Sequence, residues 1–110
     1  MDIQVRTIDQ VTVVAMAGEI DGNSAPVAQA QILPLAQPNA KIILDLHKVP
    51  FMSSAGLRLL LVIYRTLAGN GGKVALVGLS EDIADTMSLT GFLDFFSHYD
   101  SLEAGLASVA

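Results

Sequence analysis

A chain of 110 residues with 52% hydrophobic and 15% charged side chains is long enough to remove roughly two-thirds of its unfolded surface from water, which excludes a disordered or solvating segment. Eleven acidic residues against six basic ones give a net charge of -5, which argues against nucleic acid and anionic lipid as partners. The absence of cysteine removes disulfides, thiolate catalysis and Cys-based metal sites, and fits a reducing cytoplasm. Met1 to Arg6 lacks the basic, apolar, small-residue order of a secretion signal. Leu59 to Tyr64 falls far short of the roughly 20 apolar residues of a spanning helix, so a soluble cytoplasmic protein without direct membrane insertion is expected. A mean hydropathy of +0.53 leaves little polar surface to cover the outside, and some apolar surface should meet a partner.

In chain order, Ile3, Val5 and Thr7 alternate with polar neighbours and Val11 to Ala17 is apolar and rich in β-branched residues. With Asp9-Gln10 between them, they predict an antiparallel hairpin. Ser24 is a cap for a helix beginning at Ala25, with Ala28, Ile32 and Leu35 near the helical period and Pro34 kinking or ending it. Lys41 to Leu46 is a nearly continuous apolar run, as expected of a central strand buried on both faces. From Ser53 and Ser54 onward, Leu57, Leu60, Leu61, Tyr64 and Ala68 form a helical stripe that Gly69-Asn70-Gly71-Gly72 breaks. Lys73 to Gly78 predicts another buried strand, and Ser80, Glu81 and Asp82 open a third helix that Gly91 closes. Phe95 to Tyr99 is a short strand, and Asp100 with Glu103 starts a last helix carrying Leu102, Leu106 and Val109. The order ββαβαβαβα predicts one α/β domain over residues 1–110. Its mixed, mostly parallel five-stranded sheet has an N-terminal antiparallel hairpin and four helices packed on it.

Little in this sequence resembles enzyme machinery. Gly69-Asn70-Gly71-Gly72-Lys73 lies between a helix and a strand, the wrong place for a phosphate cradle, and lacks the Walker spacing. His47 and His98 have no neighbouring ligand at metal-binding spacing, so neither a metal nor a cofactor is expected. Met52-Ser53-Ser54-Ala55-Gly56 has glycine on only one side of the serines, unlike a nucleophile elbow. The serine pair still stands out, because it follows Val49-Pro50-Phe51-Met52 and opens a heavily apolar helix. The residues alone favour a plain helix cap there over a modification site.

The run Ile42 to Leu57 closely resembles the signature of bacterial anti-sigma factor antagonists, the STAS domain family: an apolar strand ending in Asp, a short loop, and Ser-x-Gly-Leu opening a helix. Gly18-Glu19-Ile20-Asp21 and Leu89-Thr90-Gly91-Phe92 resemble two further family segments, so the likeness covers nearly the whole chain. The resemblance implies a STAS-like fold and no catalytic activity. It implies a module that binds an anti-sigma factor serine kinase when unmodified, is released by phosphorylation, and is restored by a serine phosphatase. Position by position the modified serine falls on Ser54, with Ser53 as the alternative because it replaces an acidic residue common in the family. Asp21 and Asp45 match acidic positions that the family fold brings near the serine loop, so the resemblance implies that they, with Ser53 and with Gly56 two residues after Ser54, lie at the partner contact.

With Ser54 as the N-cap, a phosphate would sit on free amides at the positive end of the helix dipole, so modification should leave the domain folded and act at the partner surface. The net charge would move from -5 to roughly -7. Arg58, Val62 and Arg65 share a helix face with Ser54, opposite the apolar stripe, and are expected to contact the partner. The same residues also fit two other readings: a STAS accessory subunit of a membrane transporter with no phosphate cycle, and a face whose arginines only keep the helix soluble.

Overall fold

The computed structural model describes residues 1–110. Strands β1 (Asp2–Ile8), β2 (Val11–Ala17), β3 (Lys41–Lys48), β4 (Lys73–Val77) and β5 (Ser97–Tyr99) line up in sequence order in one sheet. The β1–β2 pair is antiparallel and every later pair is parallel. Helices α1 (Ser24–Ile32), α2 (Ser54–Gly69), α3 (Glu81–Leu89) and α4 (Leu102–Val109) fill the crossovers and the C-terminus, giving the expected ββαβαβαβα order with β3 in the centre.

The hairpin turns at Asp9 and Gln10, whose φ angles of 49° and 70° are those of a tight two-residue turn matched to strand twist. Pro34 ends α1 as the sequence implies, and the chain finishes in a single 3-10 turn over Leu33–Leu35. Three helix starts differ from expectation, that of α2 at the serine pair and two others. Ser24 lies inside α1 rather than capping it, and the last helix is capped by Ser101, whose Oγ accepts from the Ala104 N–H at 3.2 Å, rather than by Asp100. A second 3-10 turn, Phe92–Phe95, takes up Phe95, expected to begin the last strand, with Phe96 as its C-cap, and the strand therefore shrinks to Ser97–Tyr99.

Strand alternation divides the interior in two. Val14, Met16, Ile42, Leu44, Leu46 and Leu76 point to the side where α1, α2 and α3 pack, and belong to one core of 21 buried residues. Val13, Ile43, Ala75 and Val77 point the other way, against Val109 of α4, in a core of six. Helix α2 buries Leu57, Leu59, Leu60, Ile63 and Leu67 in the larger core, at about 1.5–3 kcal/mol for each large apolar side chain. That burial fixes the position of the helix whose first turn carries the serines.

Candidate functional site

The chain leaves β3 at Lys48 and reaches α2 through Val49 to Ser53, and the segment around Ile20 holds this loop by its backbone. The Ile20 N–H donates to the Phe51 carbonyl at 3.0 Å, and the Ser53 N–H donates to the Ile20 carbonyl at 2.8 Å. Gly18 adds a third link, its N–H donating to the Lys48 carbonyl at 3.0 Å. Ile20 and Met52 are both buried, so this short parallel bridge is anchored by apolar packing as well. The pairing explains the Gly56 of the motif. A Cβ there would stand 2.3 Å from Met52 Cγ and 3.1 Å from the Ile20 carbonyl oxygen, so only glycine lets the first turn of α2 lie against the clamped loop.

The two serines have different surroundings, and here the structure corrects the sequence reading of the cap. Ser53, with extended backbone at φ -81° and ψ 179°, is the N-cap of α2, and its Oγ accepts from the Ala55 N–H at 3.2 Å. Ser54 is the first helical residue, not the cap, and is exposed. It stands in the first turn of a helix that has no acidic residue there, where the dipole favours negative charge. One and three turns along α2, Arg58 and Arg65 are exposed, with half-buried Val62 between them. Phe51, three residues before Ser54, keeps half of its surface in solvent. Sequence reasoning passed over this aromatic, although a large apolar residue after Pro50 in a connecting loop was the signal for it.

Asp21 stands next to Ile20, and so beside the clamp. Its Oδ1 accepts from the Asn23 N–H at 2.9 Å and the Ser24 N–H at 3.0 Å, while its own N–H donates to Ser24 Oγ at 3.0 Å. This reciprocal arrangement caps the approach to α1. The backbone donors at Ser24 and Asn23 hold the carboxyl below the usual carboxylate range. Between α1 and α2 runs a groove of 560 Å³ bordered by Ala25, Pro26, Gln29, Arg58 and Ala55, the residue after Ser54.

Asp45 does not join this group. It shares its strand parity with Ile43, so its carboxylate faces away from α2, and Oδ1 meets His47 Nδ1 at 2.6 Å. His47 Nε2 lies 3.0 Å from the Asp100 carbonyl, just before α4. Both ring nitrogens therefore face acceptors, an arrangement satisfied only when the imidazole is protonated. The hydrogen bond to Asp45 raises the His47 pKa above its ordinary value, with the Asp100 carbonyl adding to it. Gly78, at φ +76°, provides the space: a Cβ there would lie 2.4 Å from the imidazole ring. Asp45 thus belongs to a polar link between β3 and the start of α4.

Comparison with known proteins agrees with this architecture. The family model of the STAS domain matches residues 2–105, and the chain belongs to that family. An anti-sigma-B factor antagonist of Bacillus subtilis (strain 168) is 30% identical over 106 residues, covering 96% of this chain and 97% of that protein. The crystal structure of an anti-sigma factor antagonist from Mycobacterium paratuberculosis superposes with a TM-score of 0.87 at 31% identity, covering 98% of this chain and 92% of the other. An anti-sigma-factor antagonist (STAS) domain protein from Planctomyces limnophilus has the same fold at a TM-score of 0.89 and 21% identity, covering 98% and 97%. No helix of the chain is long and apolar enough to cross a membrane.

Proposed function

We propose that this protein is an anti-sigma factor antagonist that works as a phosphorylation-switched binding module, with Ser54 as the acceptor. In its unmodified form it docks on an anti-sigma factor of the serine kinase type. The kinase's transfer of phosphate to Ser54 ends the complex, and a serine phosphatase restores it. The observation that carries this reading is the division of labour between the serines: the Ser53 hydroxyl is engaged by the Ala55 N–H, while Ser54 is exposed at the open end of α2.

The docking face runs from Phe51 through Ser54 to Arg58, Val62 and Arg65, a surface of apolar groups flanked by cations. Gly56, buried, sets its backbone, and Asp21 shapes its neighbour α1. Asp45 supports the fold from the far side of the sheet. A phosphate brings about -1.5 to -2 charges to the mouth of the helix. There it is tolerated by the dipole but is set against groups that the partner would desolvate. A cost of about 2.8 kcal/mol there is a hundredfold in affinity, enough to separate the complex. The test is incubation with the cognate kinase and ATP, followed by peptide mapping by mass spectrometry. Phosphate on Ser54, retained in Ser53→Ala and lost in Ser54→Ala, is the expected result. Phosphate that disappears with Ser53→Ala while Ser54→Ala still accepts it would assign the role to Ser53.

A further inference from the structure

The two edges of the sheet differ in how they are guarded against pairing with another strand. The β5 edge is only three residues long. The β1 edge runs for seven residues with no proline and no bulge, in continuous register from Asp2 opposite Ala17 to Ile8 opposite Val11. Short length, proline, bulges and charged side chains are the usual guards of an exposed edge, and of these β1 has only the charges, Asp2 and Arg6, which are of opposite sign.

The pattern along β1 is self-complementary. The tight turn at Asp9-Gln10 makes Ile8 and Val11 a hydrogen-bonded pair, so the even residues of β1 pair with β2 and Ile3, Val5 and Thr7 turn their N–H and C=O groups outward. An antiparallel second β1 centred on Gln4 sets Ile3 opposite Val5 in both directions, with four backbone hydrogen bonds between the chains. The same register sets Asp2 opposite Arg6 twice, at the non-hydrogen-bonded positions where side chains approach most closely. Asp2 and Arg6 line the same open trough on the α4 side of the sheet, together with Gln4. Val5, 49% exposed, lies on the other side, where Ile3 of the second copy would cover it.

We propose that β1 is a homodimerisation edge, on which a second copy of this chain adds its own β1 antiparallel about Gln4, with Asp2 of each copy paired to Arg6 of the other. The contact is isologous and extends the five-stranded sheet to ten strands across a twofold axis. Being an edge contact rather than a broad face, it forms a reversible dimer that salt weakens.

Sedimentation velocity of the full chain over a range of concentrations tests this. The expected result is a monomer–dimer equilibrium, weakened about tenfold by either Asp2→Arg or Arg6→Asp, because each reversal sets like charges opposite one another twice. An equimolar mixture of these two variants should dimerise again, since the first carries a cation at both positions and the second a carboxylate at both, so that every facing pair is again of opposite sign. Both variants should keep the melting temperature of the parent monomer, as the changed side chains are exposed. A chain that stays monomeric at every concentration would overturn the proposal. So would a dimer indifferent to both reversals, or a mixture no tighter than the variants alone.

Discussion

On the side of the sheet that carries α1, α2 and α3, 21 buried residues form one core, whereas the side under α4 has six, and the Asp45–His47–Asp100 link helps to hold that helix. Ser54, the proposed acceptor, stands on the deep side. Its helix is fixed by apolar burial along its length and by the Ile20 clamp at its start, so a charge added at the mouth meets a rigid support. The contrast teaches that the face proposed for docking is kept apart from the smaller core and its histidine link. Modification can then change what docks without changing what is folded.

The sharpest way to break this contrast is to hollow each side in turn. Leu60→Ala, at a fully buried position of α2, is expected to cost about 2–5 kcal/mol. Val109→Ala, in the smaller core at the end of α4, should cost markedly less, both read by urea unfolding. Equal losses would mean that the two sides share their load. Next in size, Gly56→Val should destabilise by about 1–3 kcal/mol, because its side chain meets Met52 and the Ile20 carbonyl. It should also weaken docking by displacing the first turn of α2, which a binding assay on the folded fraction would show.

Ser53→Ala comes third, at about 1 kcal/mol for a lost cap, while Ser54→Ala should leave the melting temperature nearly unchanged. The smallest effect belongs to His47. Its folded pKa lies above the ordinary 6.5, so the stability it adds is fully present below that value and is lost as pH rises through the raised one. Melting temperatures of the parent chain and His47→Gln should differ at about pH 5.5, below the ordinary histidine pKa, and converge at alkaline pH. A constant gap would show that the ring acts by packing alone.

Much of the fold was legible because hydrophobic period and turn residues agreed at almost every element, from the Asp9-Gln10 turn to the glycines after α2. What escaped was finer than those signals. Adjacent serines before an apolar helix carry the same capping chemistry, and only backbone geometry separates the cap Ser53 from the free Ser54. The face of Asp45 was masked because Ile42, Ile43 and Leu44 are apolar at both parities, as the middle strand of a sheet covered on both sides must be. The 3-10 turn at Phe92–Phe95 was hidden by aromatic residues that suit a strand equally well. Tyr64, packed at 5.6 Å from Phe95 and 5.5 Å from Phe96, decides the matter through tertiary contact.

The central claim is that charge on Ser54 governs docking on an otherwise unchanged fold. Calorimetric titration of the cognate anti-sigma factor into Ser54→Ala, Ser54→Asp and the enzymatically phosphorylated chain tests it most directly. The account predicts binding to the alanine form about a hundredfold or more tighter than to the phosphorylated form, with the aspartate form weakened in the same direction and all three melting at the same temperature. Equal affinity of the three forms would contradict it.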